Sequence, residues 1–393
     1  MSIELQYTVK QRALRQEVRE WLQTNVPKTP LASYDTAEGF EAHRQWERTL
    51  HSGRWSMVTW PEKFGGRGLN LIEWLIFEEE YYRADAPGRV NQNGVFLFGP
   101  TLMEYGTDEQ KARFLPRLAS GEDIWAQVWS EPQAGSDLAA LRSTAIRDGD
   151  HYVVNGHKIW STRAVFADWG FALFRTDPAS ERHRGLSYIV FPLDTPGVRV
   201  RGIPQLDGEA GFAEIFFEDA RIPVTNLIGA EGQGWSIAMA TAGFERGLML
   251  RSPARFQRTA QRLVELARRA QSDADPGLLA SVTQCWMDAE AYALSTYMTA
   301  SRLMSGGSIG AEASLNKVFW SELDLNMHRA AISLLGARAE LRDRLGESAQ
   351  EDLRETMRWM DGFLFSLAGP IYAGANEIQR NIIAERVLGM PKV

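Results

Sequence analysis

The sequence predicts an α+β protein in three successive regions: helical, then strand-rich, then helical again. Three observations carry this expectation. Apolar residues recur at helical spacing up to about residue 122, short runs rich in β-branched and aromatic residues fill the chain to about residue 235, and long helical patterns then continue to the end. The divisions fall at 1–122 for an N-terminal all-α domain, 123–235 for a middle antiparallel β-domain and 236–393 for a C-terminal helical domain.

In the first region Leu14, Val18, Trp21 and Leu22 share one helical face, and Leu71 to Tyr82 and Gln110 to Leu118 read as further helices. Phe96, Leu97, Phe98 and Leu102 are apolar enough to line a pocket, although such residues in a helical domain belong more often to the core. In the second region the strand runs are His151 to Val154, Ile159 to Thr162, Phe171 to Arg175, Leu186 to Leu193 and Glu214 to Phe217. Asn155-Gly156 is expected to form a two-residue hairpin turn, because both residue types accept positive φ. A small antiparallel barrel or sandwich fits these runs. From Gly234 onward the pattern is helical, with breaks at Asp273 to Gly277 and Ser305 to Gly310, and no internal repeat or low-complexity tract interrupts it.

With 393 residues, 44% hydrophobic and 24% charged, the chain can bury a large core. A net charge of -7 argues against nucleic acid as a partner, since phosphate binding needs a basic field. No apolar run is long enough to span a bilayer, and the opening Met-Ser-Ile-Glu-Leu-Gln has no secretion signal, so a cytoplasmic protein is expected. Cys285 is the only cysteine, which excludes an intrachain disulfide, and the six histidines have no helix-spaced ligand pair, so no metal is expected.

The most informative motif is Trp129-Ser-Glu-Pro-Gln-Ala-Gly-Ser-Asp-Leu138. Pro132 and Gly135 interrupt regular structure between two apolar segments, leaving Ser130, Ser136 and backbone N–H groups available to a ligand; the competing reading is a plain surface turn. Phosphate-loop and dinucleotide fingerprints are absent, and Gly135-Ser136-Asp137 lacks the second glycine of a nucleophile elbow. A second site of interest is Ser236 to Leu250, apolar almost all round and carrying only Glu245 and Arg246 as charges. Desolvation there would raise a carboxylate pKa toward the range a general base needs; an ordinary helix-surface ion pair is the alternative, and both readings stay open. Gly243 and Gly247 would leave a narrow side to this helix.

The 129–138 motif, Asn155-Gly-His-Lys-Ile-Trp-Ser-Thr162 and Ile371-Tyr-Ala-Gly-Ala-Asn-Glu-Ile-Gln-Arg-Asn-Ile-Ile-Ala-Glu-Arg-Val-Leu-Gly389, in this order and over nearly the whole chain, resemble the acyl-CoA dehydrogenase family of flavoenzymes. That resemblance implies a helical domain, a middle β-domain and a C-terminal four-helix bundle, an FAD cofactor, an acyl-CoA substrate, an electron-transfer flavoprotein as partner, and a tetramer. The implied reaction removes an α-proton with a glutamate while the β-hydrogen leaves as hydride to the flavin.

Roles follow by position. Many family members carry the base just before the Gly-Thr of the C-terminal motif, where this chain has Ala373; members of the isovaleryl and long-chain type carry it on the first long C-terminal helix, immediately before an arginine, which matches Glu245-Arg246. The resemblance therefore implies Glu245 as base with Arg246 on the substrate side, and the Ala373 backbone N–H as donor to the thioester carbonyl. It implies Thr162 at flavin N5, Trp160 against the ring, Trp129 and Ser130 on the pyrimidine side, Ser136 toward both flavin and substrate, and Glu377 among the cofactor contacts. Three features depart from the family pattern: Ala267 to Gly277 lacks Arg-x-x-Phe-Gly, Ala375 replaces threonine, and Leu335-Gly336-Ala337 replaces a Gly-Gly segment. A heterotetramer with a homologous chain, as among members acting on steroid side chains and other bulky acyl-CoAs, would supply such missing contacts; a homo-oligomer is the simpler option. Three further readings are a non-catalytic partner subunit, a flavin oxidase or monooxygenase on the same fold, against which Glu245 argues, and a purely structural helical protein, against which Ser130, Ser136 and Thr162 argue.

Overall fold

The structure is a computed structural model that describes residues 7–246, 251–270, 275–340 and 351–392, with the side chains of 244–246 and 351–357 outside the described part. Contacts divide the chain into two compact units, one made of residues 1–24, 70–85 and 246–393, the other of 25–69 and 86–245.

The first unit is helical. Helix α1 (Val9–Asn25) buries Leu14, Val18 and Leu22, which are four residues apart and so lie on one face. Helix α3 (Leu71–Arg83) starts at a reciprocal capping box, in which Asn70 Oδ1 accepts from the Glu73 N–H and the Glu73 carboxylate accepts from the Asn70 N–H. It buries Glu80, which Arg15, Arg19 and Arg83 surround. Burial raises the Glu80 pKa, but the three guanidiniums outweigh that and hold it below the usual carboxylate value. Four long helices, α7 (Pro253–Arg269), α8 (Pro276–Met304), α9 (Ala313–Leu335) and α10 (Glu351–Ser366), pack together, and α3 lies against α7 and α8. Phe256, Leu263, Trp320, Met327 and Trp359 fill their core. The expected break at Ser305 to Gly310 falls between α8 and α9; that at Asp273 to Gly277 lies partly outside the described residues. The short α11 (Asn376–Ile382) packs on α9.

The second unit is a sheet with four helices. Among the described residues it has β1 (Trp125–Val128), β2 (Thr144–Asp148), β3 (His151–Thr162), β4 (Trp169–Arg175), β5 (Leu186–Pro192), β6 (Val198–Ile203), β7 (Phe212–Pro223) and β8 (Leu227–Ile228). Their order is β6-β7-β3-β2-β4-β5-β8, antiparallel except where β4 meets β2 and β1, and β1 runs beside β4 with Trp125 opposite Trp169. Helices α2 (Ala37–Ser52), α4 (Gly99–Tyr105), α5 (Asp108–Ser120) and α6 (Gly234–Arg246) complete the unit. Helix α5 opens with a Thr107/Gln110 capping box and closes at Gly121, whose φ of 74° is the left-handed conformation that glycine adopts without strain. Leu97, Phe98 and Leu102 are core rather than pocket lining. Phe98 stacks on Trp125 at 4.0 Å and on Phe171 at 5.6 Å, and Phe171 stacks on Tyr188 at 6.0 Å.

Two expectations are corrected here. Asn155-Gly156 is no hairpin turn but lies inside the continuous β3, where the register against β7 shifts between Val154 and Gly156. The turn falls earlier, at Gly149 (φ 65°), because β2 pairs with β3 from Asp148 opposite His151. The glycine is required for another reason: a Cβ at 156 would stand 2.1 Å from Ser143 Oγ. Helix α6 is also not buried all round. It hides Ile237, Ala238, Thr241 and Ala242 while Met239 and Gly243 are exposed; Gly247 lies outside the described residues.

Candidate active site

Strand β1 ends at Val128 and releases the 129–138 segment. Its first turn closes on itself, with the Glu131 N–H donating to Ala134 O at 3.1 Å and the Ala134 N–H to Glu131 O at 2.9 Å, so Pro132 and Gln133 stand exposed at the tip. The Ile159 N–H donates to Ser130 O at 2.9 Å, which ties the loop to β3. Trp129 is buried and meets the rings of Phe171 and Tyr188 edge-on, both at 6.4 Å.

Beneath the loop lies an ion pair. Lys158 is 0% exposed, and its ammonium donates to Trp129 O at 3.1 Å, Leu173 O at 2.8 Å and Glu131 Oε1 at 2.9 Å. Glu131 also accepts from the backbone of Arg142 at 2.7 Å and of Ser143 at 2.9 Å, and from Gln133 Nε2 at 2.7 Å. Burial pushes the Glu131 carboxyl up, but the Lys158 charge and these hydrogen bonds outweigh it and bring it down to about 2. Burial likewise pulls the Lys158 ammonium below the ordinary lysine value, and Glu131 partly restores it.

In contrast, the hydroxyls of Ser130 and Ser136 and the N–H groups of Gly135 and Ser136 take no hydrogen bond within the described chain. A Cβ at Gly135 would meet nothing within 4 Å, so packing inside the chain does not demand glycine there.

Just after Lys158, the β3–β7 register shifts again before Ser161. Trp160 sits in that bulge at φ 63°, a conformation that costs a bulky side chain ~1–2 kcal/mol. Its indole is turned outward, 57% exposed, and meets the Phe212 ring edge-on at 6.2 Å. Thr162 is half-buried and its hydroxyl has no partner within the described chain, and the buried Ser161 Oγ and Trp129 Nε1 lack one too. The bulge places an exposed aromatic plate, a free hydroxyl and the donor-bearing loop on one stretch of the sheet.

In the helical unit, the Tyr372-Ala373-Gly374 turn is likewise held by a buried lysine. Lys317 donates to Gly369 O at 2.9 Å and to Asn376 Oδ1 at 2.7 Å, Ser321 Oγ donates to Asn376 Oδ1 at 3.1 Å, and the Asn376 N–H closes the turn on Pro370 O at 2.8 Å. Ala373 adopts φ 56°, and its N–H makes no hydrogen bond within the described chain. The Arg251 guanidinium stacks over Trp320 and Tyr372, 4.8 and 5.4 Å from the ring centroids. Glu377 is exposed in the first turn of α11. Glu245 and Arg246 close α6, and their side chains lie outside the described part.

The structure thus brings Trp129, Ser130, Trp160 and Thr162 together through β3, with Ser136 farther along the same loop. Sequence reasoning missed Glu131, Lys158, Lys317 and Asn376. A lysine between strand positions that face inward was the available signal for Lys158.

The donor set fits a flavin. Free hydroxyls and N–H groups suit the pyrimidine edge and N5, an outward tryptophan suits the ring face, and the orphaned Trp129 and Ser161 atoms show that polar capacity at this site exceeds what the chain uses.

Comparison with known proteins agrees along the full length. Residues 8–122 match the acyl-CoA dehydrogenase N-terminal domain, 126–220 its middle domain and 232–388 its C-terminal domain. The chain is 41% identical over 390 residues to the acyl-CoA dehydrogenase IpdE1 of Mycobacterium tuberculosis, covering 96% of this chain and 97% of that one. Among solved structures it is similar to the steroid acyl-CoA dehydrogenase Tcur3481-Tcur3483, with TM-score 0.84, 27% identity and 100% of both chains covered. It is also similar to the ChsE4-ChsE5 complex of Mycobacterium tuberculosis, with TM-score 0.80, 32% identity and 100% of both chains covered. From its three matched domains, its relatives and its fold, this chain belongs to the acyl-CoA dehydrogenase family and is an oxidoreductase of it.

Proposed function

We propose that the chain is an FAD-dependent dehydrogenase that introduces an α,β double bond into a bulky acyl-CoA thioester. The observation that carries this reading is the bulge at Trp160, which spends backbone strain to present an aromatic face and the Thr162 hydroxyl beside the unpaired donors of the 129–138 loop. Bound FAD supplies the two-electron acceptor that takes the β-hydrogen as hydride. Thr162, Ser130 and the loop N–H groups would hold the electron-rich edge of the ring, where preorganised donors favour arriving negative charge. Trp160 would cover one face and exclude water, Trp129 would join Ser130 on the pyrimidine side, and Glu377 would be among the cofactor contacts. Ser136, at the exposed end of the loop, would meet both cofactor and thioester. The Ala373 N–H, left free by its turn, would donate to the thioester carbonyl and acidify the α-carbon. Glu245 would take the α-proton, with Arg246 beside the substrate. A steroid-like acyl group is supported by the relative described as a steroid acyl-CoA dehydrogenase, and electron-transfer flavoprotein is the expected oxidant of the reduced enzyme.

The ranges 1–122, 123–235 and 236–393 remain our division into functional domains, supported by the three family matches, and the cytoplasm our expected location. Among the described residues no helix is long and apolar enough to cross a membrane, and no group of side chains could hold a metal ion. A second reading is supported by one specific observation, that a related structure is a complex of two different chains, and it is consistent with Ala373 and Ala375, two positions at which this chain departs from the pattern of the resembled family. In that reading the chain is the partner subunit of a heterotetramer. The test is anaerobic bleaching of bound flavin by straight, branched and steroid-like acyl-CoAs, for wild type and Glu245→Gln, alone and with a homologous chain. Bleaching that requires Glu245 supports the enzyme; bleaching that survives Glu245→Gln removes Glu245 as base; absence of flavin in every preparation favours the partner subunit.

A further inference from the structure

We infer that the buried Lys158–Glu131 pair is the positioning device of the cofactor loop: one point of charge that clamps both ends of the 129–143 segment and sets its free donors in place. The inference rests on the FAD-dependent reading above and concerns two residues given no role there.

The two side chains leave no hydrogen-bonding capacity unused. The three protons of the Lys158 ammonium go to Trp129 O, Leu173 O and Glu131 Oε1. The carboxylate accepts four bonds, from Lys158 and the Ser143 N–H on Oε1, and from the Arg142 N–H and Gln133 Nε2 on Oε2. Trp129 and Glu131 are the entry to the loop, and Arg142 and Ser143 are its exit. Both are therefore fastened within one hydrogen bond of the same carboxylate, while the donors of Ser130, Gly135 and Ser136 lie on the segment between them.

Stability alone does not call for this arrangement. A well-packed apolar pair of similar volume generally serves a core as well as a buried ion pair does, because desolvation consumes the Coulombic gain. An apolar pair cannot grip two backbone carbonyls and two backbone N–H groups. The pair also reaches the second half of the site: Lys158 precedes the bulge that turns Trp160 outward, and the Ile159 N–H bonds Ser130 O, so loop and bulge share one anchor. Behind it the ammonium sits 5.3 Å from the Phe174 ring centroid, in a strand whose register is fixed against β5 from Trp169 to Arg175.

The experiment compares Glu131→Gln, Lys158→Met, the double variant and Glu131→Asp in the full chain. It uses three readouts: urea midpoint, FAD affinity of the apoprotein, and amide hydrogen exchange of residues 130–137 in the apoprotein. Each single removal strands a buried charge and lowers both midpoint and affinity. The double variant leaves no charge unpaired, so its midpoint returns toward wild type. Its FAD affinity stays about ten-fold or more below wild type and its loop exchange about ten-fold or more faster, which separates positioning from stability. Glu131→Asp keeps the charge but shortens the arm; it retains the midpoint, and its loop exchange is faster than wild type. A double variant that binds FAD as wild type does, or exchanges its loop at the wild-type rate, overturns the inference. Should the double variant not fold, wild-type exchange in Glu131→Asp overturns it by itself. Failure of the wild-type chain to bind FAD would instead refute the cofactor reading, and loop exchange in the apoprotein would still decide the role of the pair.

Discussion

Gly156→Ala is a test of how the sheet supports the loop. The added Cβ would lie 2.1 Å from Ser143 Oγ, 2.4 Å from Ser143 Cβ and 2.8 Å from Ser143 Cα. Ordinary contact begins near 3.4 Å, so the shortfall against the hydroxyl is about 1.3 Å. Rotating the serine moves Oγ only; Cβ and Cα go where the backbone goes. That backbone is pinned, with the Ser143 N–H on Glu131 and the Ser143 carbonyl accepting from the Arg175 N–H at 2.8 Å. Overpacking of this kind costs roughly 1–3 kcal/mol, and the backbone contact places this case at the upper end, about 3 kcal/mol. Gly149→Ala is the matched control. Gly149 has φ 65° but nothing within 4 Å of its would-be Cβ, so that substitution carries only the conformational cost, about 1 kcal/mol. Urea unfolding of wild type, both single variants and Ser143→Gly/Gly156→Ala reads the difference. The double variant loses the two shortest contacts and should recover at least half of the loss. If Gly156→Ala costs no more than Gly149→Ala, or Ser143→Gly gives no recovery, the close approach of β3 to residue 143 is wrong.

Three other outcomes are expected. The folded Glu131 value of about 2 lies below the ordinary 4.5, so its stabilisation is complete above about pH 4.5 and is lost as pH falls toward 2; wild type should lose about 2 kcal/mol more than Glu131→Gln between pH 6 and pH 3, and equal losses in urea titrations would contradict the pairing. Trp160→Gly exchanges relief of a left-handed backbone against the packing of a largely exposed indole, including its edge contact to Phe212, so apoprotein stability should stay within about 1 kcal/mol of wild type while FAD affinity falls about ten-fold or more; a variant that keeps its affinity would remove the ring-covering role. Lys317→Met leaves the Gly369 carbonyl and Asn376 Oδ1 without their charged donor and should cost about 2 kcal/mol, with faster amide exchange across 369–376; an unchanged turn would show that Lys317 does not hold it.

The order of helices and strands was legible because the long helices repeat strongly and β4, β5 and much of β7 are dense in β-branched and aromatic residues. Strands β1, β2, β6 and the two-residue β8 went unread. Four-residue β1 is buried on both faces except at Gln127, so it shows no alternation, whereas Val198-Arg-Val-Arg201 does alternate, so β6 carried a readable signal that was missed. Asn155-Gly156 carried a true local preference that tertiary pairing overrode, since β3 runs straight through it. Of the candidate site, the 129–138 loop announced itself through proline, glycine and hydroxyls. The partnership of Glu131 and Lys158, 27 residues apart, could not be read from local pattern, since only the pairing of loop and strand brings them within 2.9 Å.

The division into two units has a consequence for how such a chain can be inherited and recombined. The polypeptide passes between the units four times, near residues 24, 69, 85 and 245, so the helical unit is assembled from three separated stretches. A gene fragment encoding residues 236–393 would deliver α7 and α8 without α3, which packs on both. Exchange of cassettes at 122 or 235 between diverged relatives therefore replaces part of a core and leaves the other part behind. A grafted C-terminal segment should accumulate as insoluble protein unless the recipient's own α3 is replaced with it.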